Sequence, residues 1–158
     1  MLLMLYPTLL ALHSWVRWLV LIGLVVSLFR AYRGWLCRRP FTPLDNQVRI
    51  ATTASVHVQL LLGVWLYIVS PIVRYFLGHF HEGVHINNVR FFGMEHVTMM
   101  VIAIAVITVG SVRARRKKTA REKFRAIAIY FTIGLVLIFV SIPWHFSPFT
   151  ARPYFRPL

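Results

Sequence analysis

The sequence predicts an all-α integral membrane protein, an antiparallel four-helix transmembrane bundle with both termini outside. Three observations predict it. Hydrophobic residues make up 58% of the 158 residues and charged ones 14%, where a soluble domain carries about 25% charge. Four stretches of about 20 residues, the length that crosses ~30 Å of hydrocarbon, are almost free of formal charge. The 18 Lys and Arg residues gather in alternate loops, as the positive-inside rule requires.

The spans follow in order, within a single domain covering residues 1–158. The first is expected over residues 9–29, with Pro7 in its first turn, where a proline costs no hydrogen bond. No basic region precedes this apolar start, and no small-residue cleavage site precedes Arg17, so it reads as a retained span. Pro40 and Pro43 break the first loop. The second span, 50–70, has no charge between Arg49 and Arg74, with Asp45 or Asn46 as its cap and Pro71 at its close. The third, 91–112, contains Glu95 and His96. The fourth, 126–144, has no charge between Arg125 and Arg152, and Pro143 marks its end. Short connections between spans favour an antiparallel bundle, and Gly63, Gly110 and Gly134 offer points of close helix contact.

Thirteen of the eighteen cations lie in loops one and three, while Arg74, Arg90, Arg152 and Arg156 lie on the other side and Arg17 lies within a span. Loops one and three are therefore cytoplasmic and both termini face outward, in a multi-pass protein of a bacterial inner membrane. The net charge of +14 is explained by this orientation; nucleic-acid binding is excluded, because no separate folded domain presents the basic residues to a groove. The single Cys37 rules out an intrachain disulfide, a paired-cysteine zinc site and covalent haem attachment through two cysteines.

An ionisable side chain at membrane depth costs about 2.5–3.5 kcal/mol, so it faces the bundle interior and serves a function by default. His13 and Arg17, four residues apart, share a face of span one. Glu95 and His96 begin span three, and His57 and Gln59 lie in span two, about 200° apart around the helix. Spans one and three both enter from outside, which places His13 and His96 at matching depth, about one to two turns below the surface. Neutral imidazole is the common axial ligand of haem iron, and two histidines on facing helices can clamp a haem without covalent attachment. His13 and His96 are the best-matched pair for haem b. His57, nearer the bilayer middle, is an alternative ligand or a ligand to a second cofactor. Arg17 and Arg90 are candidate partners of the propionates, and Glu95 or His57 of a quinol proton. Equally, Arg17 and Glu95 can form an ion pair within the membrane. Trp15, Trp18, Phe91, Phe92 and Met99 would supply apolar walls.

Loop two carries His79, His81 and His85 around Glu82, a spacing able to bind zinc or copper, although a plain solvated loop is the stronger reading. The basic run of residues 113–125 meets anionic lipid, as in any positive-inside protein. No nucleotide, flavin or thiol motif is present, so an electron carrier or redox subunit is expected rather than a stand-alone enzyme. Its partners would be the lipid bilayer, quinol and a respiratory or redox complex. The rivals are a cofactor-free accessory subunit of a larger membrane complex and a haem- or metal-handling protein using the His79–His85 loop.

The motifs His13-Ser14-Trp15-Val16-Arg17-Trp18, His57-Val58-Gln59-Leu60-Leu61-Leu62-Gly63, Glu95-His96-Val97-Thr98-Met99-Met100 and Ser141-Ile142-Pro143-Trp144 together resemble short four-helix bacterial membrane proteins labelled cytochrome b-like, common in the Bacteroidetes. The resemblance covers nearly the whole chain in the same order. It implies a four-helix membrane cytochrome with non-covalent haem b, and His13, His57 and His96 as its candidate ligands. The histidine-bearing part of loop two has no place in that pattern.

Overall fold

A computed structural model describes residues 2–145 and 150, with the side chains of residues 2–4 excepted. Arg152 and Arg156 lie outside the described residues. Among the described residues the protein is all-helical. Four long elements carry it: α1 (Leu2–Leu36), α2 (Pro43–Val69), α6 (His96–Arg116) and α7 (Ala120–Ser141). Between α2 and α6 run three short helices, α3 (Pro71–Gly78), α4 (Phe80–Gly83) and α5 (Asn87–Arg90), and a single π-helical turn over Phe91–Glu95. The segments Leu5–Leu36, Pro43–Val69, Asn87–Arg116 and Ala120–Ser141 are each long and apolar enough to cross a membrane.

Each long helix runs beyond its predicted span at the end next to the basic loops, while α7 stops at Ser141, short of residue 144, and the local chemistry sets the ends. Span two does not begin at an Asp45 or Asn46 cap. Thr42 is the cap, and its hydroxyl accepts the Asp45 amide while the Asp45 carboxylate accepts the Thr42 amide, with Pro43 at the first helical position. Pro43 thus starts a helix instead of breaking a loop. Thr119 and Glu122 repeat the reciprocal cap at the start of α7. Ser70 ends α2 and caps α3, its hydroxyl accepting the Val73 amide. Pro7 lies inside α1 rather than at its first turn, because that helix begins at Leu2. Loop two, read as solvated loop, is largely helical.

The interior is built from α1, α6 and α7 with the inner face of α2; Leu24, Val56, Ile107 and Phe131 are its largest fully enclosed side chains. The outward faces are equally apolar: Leu19, Leu61 and Ile68 are 63%, 70% and 70% exposed. Such surfaces suit contact with lipid. With lipid on the outside, close packing rather than hydrophobic transfer holds the helices together. At Gly134 a Cβ would collide with the buried Ile107 side chain and sit 3.5 Å from the Ala103 carbonyl oxygen. Gly134→Val is therefore expected to cost about 1–3 kcal/mol by overpacking, read as an earlier loss of helicity on titration with sodium dodecyl sulfate.

Polar cross-links fix the register at the end of the bundle that carries the basic loops. The Ser27 and Thr52 hydroxyls lie 2.8 Å apart, and Thr52 also donates to the Gly23 carbonyl at 3.0 Å. Arg30 pairs with the buried Asp45 at 2.7 Å. Arg49, only 6% exposed, donates to the carbonyl and hydroxyl of Ser111 on α6 and to the Asn46 side chain.

Candidate functional site: a histidine-lined cavity

A cavity of about 350 Å³ opens between the four long helices near the non-basic end of the bundle. That volume lies in the range of small-molecule sites, about 300–1,000 Å³. His13, Ser14 and Arg17 reach it from α1, Gln59, Gly63 and Tyr67 from α2, Phe92 from the π-helical turn, and His96 and Met100 from α6, with Ile138 and Ile142 closing the α7 side. His13 and His96 both line this cavity.

His96 is held by its ring. Its Nδ1 lies 2.8 Å from the Ser141 carbonyl oxygen; a carbonyl only accepts, so Nδ1 carries the proton and Nε2 keeps its lone pair. A metal-ligating histidine shows the same arrangement, with the second nitrogen donating to a carbonyl to fix tautomer and ring. Phe91 and Phe92 pack together beside the imidazole, with ring centres 5.6 and 6.2 Å away from it. The backbone that delivers it is a π-helical turn, a form that recurs at functional sites. Tyr67 anchors that turn by donating to the Gly93 carbonyl at 2.8 Å.

His13 is placed differently. Its Nδ1 is buried with no hydrogen-bond partner, and so is the Gln59 carbonyl oxygen. The Gln59 amide nitrogen is engaged, donating to the His13 backbone carbonyl at 2.9 Å. Two orphaned buried polar atoms beside one cavity mark a place where a bound group or water completes the bonding. Gly63 makes room for the imidazole: a Cβ at that position would sit 3.3 Å from His13 Cε1.

Arg17 stands one turn from Ser14, to whose hydroxyl it donates at 3.4 Å. Its guanidinium lies 5.4 Å from the Trp18 ring centre and 6.0 Å from that of Trp144, close enough for cation–π attraction. The Trp144 indole donates to the Phe139 carbonyl at 2.8 Å. Thus Ser141, the last residue of α7, and Trp144, three residues on, hold His96 and Arg17 respectively.

The other site residues go elsewhere. His57 is exposed on the outer face of α2 and bonds Thr108 on α6 at 2.9 Å. The Thr108 hydroxyl gives its proton to the Ile104 carbonyl, so His57 Nε2 is the donor in that pair. It does not line the cavity. Glu95 pairs with Arg90 at 2.7 Å, so the Arg17–Glu95 ion pair considered from sequence is not formed, and neither Arg90 nor Glu95 lines the cavity. Arg90 also donates to the Val84 carbonyl at 2.9 Å, tying α5 to the short helices.

In loop two, His79 stacks on Tyr75 with ring centres 4.7 Å apart, and His81 meets His85 edge to face at 5.8 Å. Tyr75 in turn donates to Glu82. Among the described residues, no three His, Cys, Asp or Glu side chains are grouped to hold a metal ion.

Sequence reasoning missed Gln59, which it set aside as facing away from His57. Its signal was its four-residue spacing from Gly63, which puts both on the face of α2 turned toward α1. The Ser141 carbonyl carried no side-chain signal at all. No protein-family model, curated protein or solved structure matches the chain.

Proposed function

We propose that the chain is a b-type cytochrome of a bacterial inner membrane, an antiparallel four-helix bundle with both termini outside, in which His13 and His96 hold a non-covalent haem b. The observation that carries this reading is the pairing in one apolar cavity of His96, its Nδ1–H committed to Ser141, with a His13 whose Nδ1 lacks a partner. Neutral imidazoles are the donor set haem iron takes, and the fixed tautomer of His96 leaves its Nε2 free to ligate. The resemblance of the four histidine-, glutamate- and tryptophan-bearing motifs to cytochrome b-like membrane proteins agrees with it.

The bound group would supply one-electron exchange. The chain's own residues do the rest. His96 is oriented by Ser141 and the phenylalanines beside it, His13 is seated over Gly63, and the apolar cavity walls exclude water. Arg17, held against Ser14, Trp18 and Trp144, is the fixed cation for the propionates, a role Arg90 leaves to it by pairing with Glu95. His57, bonded to Thr108 on the outer face, is a packing residue in this reading. A membrane quinol and a respiratory or redox complex are the fitting partners for an electron carrier without nucleotide or flavin motifs.

Cross-links between helices support the antiparallel arrangement. Along α1, His13, Ser27 and Arg30 meet Gln59, Thr52 and Asp45 of α2 in descending order. Along α2, Arg49, His57 and Tyr67 likewise meet Ser111, Thr108 and Gly93. The bias of cations toward loops one and three supports the outward termini.

The test is a pyridine haemochrome assay with a reduced-minus-oxidised spectrum of the detergent-purified protein, expressed with ample haem. One haem b per chain with a reducible spectrum is expected. A colourless protein refutes the reading and favours an accessory subunit. Gly63→Val, which pushes a methyl group into the His13 imidazole, is expected to lower haem occupancy severalfold while leaving helicity unchanged, measured as the haem-to-protein absorbance ratio.

A further inference from the structure

At the basic end of the bundle, far from the histidine cavity, a second cavity of about 310 Å³ lies between the start of α2, the end of α6 and the start of α7. Three cations from three helices line it: Arg49 of α2, Arg115 of α6 and Lys123 of α7, with Asn46 and the Thr42–Pro43 start of α2 completing the wall. No carboxylate is among the lining residues. The four acidic residues of the chain are engaged elsewhere. Asp45 holds Arg30 and Thr42, Glu82 accepts from Tyr75, Glu95 holds Arg90, and Glu122 holds Lys117 and Thr119.

Arg49 and Arg115 turn like charges on the same cavity, and Arg49 is almost wholly buried with only neutral acceptors. Concentrating like charges around a cavity is unfavourable unless an anion enters it. Guanidinium groups offer several donors in a fixed fork, the geometry that suits a phosphate. Phe41, Pro43 and Ala114 line the cavity beside the cations, and Ile50, one residue past Arg49, is 50% exposed, an apolar flank on which acyl chains can lie.

We propose that this cavity binds a phosphate group, with the headgroup of an anionic phospholipid as the occupant its apolar flank favours. It is independent of the haem reading and concerns a different end of the bundle. The experiment uses the full chain in a non-ionic detergent after delipidation, titrated with dihexanoyl phosphatidylglycerol, with the phosphatidylcholine analogue and with inorganic phosphate, each read by thermal shift.

Saturable stabilisation by phosphatidylglycerol is expected. The double variant Arg115→Gln/Lys123→Gln is expected to weaken it about twenty-five-fold, each surface cation being worth about a factor of five. The control Lys118→Gln/Arg121→Gln removes the same charge from residues that do not line the cavity and is expected to bind as the parent does. Arg115→Lys, which keeps the charge and loses the guanidinium fork, is expected to bind more weakly than the parent and more tightly than Arg115→Gln, which separates lost binding from lost folding. Stabilisation by inorganic phosphate as well assigns the site to the phosphate group alone; its absence assigns it to the lipid. Equal weakening in both double variants, equal binding of phosphatidylcholine, or no saturable stabilisation by either phosphatidylglycerol or inorganic phosphate would overturn the proposal.

Discussion

Replacing His96 by alanine is expected to abolish haem binding, leaving a colourless protein with its helices intact. His96 donates through Nδ1 to the Ser141 carbonyl and packs beside Phe91 and Phe92, so its ring has one orientation and one lone pair to offer. Losing that ligand leaves only His13 on the opposite helix. The variant His96→Gly opens the same space, and added imidazole is expected to restore colour to it. His57→Ala serves as the control. That side chain bonds Thr108 on the outer face and does not line the cavity, so the spectrum is expected to be unchanged. Colour retained in His96→Ala, or lost in His57→Ala, would move the ligand assignment to another helix.

The second large effect concerns the scaffold. Phe131→Ala is expected to destabilise the bundle by about 3 kcal/mol, toward the low end for a buried phenylalanine. Phe131 is fully enclosed in α7, which packs against both α1 and α6. In lipid the transfer term that a soluble core would lose is small, so the cost is that of the cavity and its lost van der Waals contacts. Ile133→Ala on the same helix, 45% exposed, is the reference. The check is the detergent concentration at which helicity is lost. A shift for Phe131→Ala no larger than that for Ile133→Ala would contradict the packing described.

Much of the fold was legible because charge is scarce. Charge-free stretches located all four long helices, and their entry sides gave His13 and His96 a common depth. Helix ends were less legible, since hydropathy reports where lipid suits the chain and not where hydrogen bonding stops. The Thr42-Pro43-Leu44-Asp45 run was a readable capping signal, passed over in favour of Asp45 itself. Orientation within a helix was the hardest part. When the outer faces are as apolar as the inner ones, no periodicity shows which way a lone polar residue points. Thus His57, expected from sequence nearest the bilayer middle, faces outward to Thr108, whereas Gln59 faces the cavity. The π-helical turn before His96 left no mark in composition; the contacts it makes are visible only in three dimensions, where Phe76 packs against Gly93 and Tyr67 bonds the turn's carbonyl.

Low-temperature electron paramagnetic resonance of the oxidised, purified protein tests most directly whether His13 and His96 share one iron. The account predicts a low-spin ferric signal typical of two imidazole ligands, converted to a high-spin signal in His13→Ala. A high-spin signal in the parent protein, or a low-spin signal that survives in His13→Ala, would contradict it.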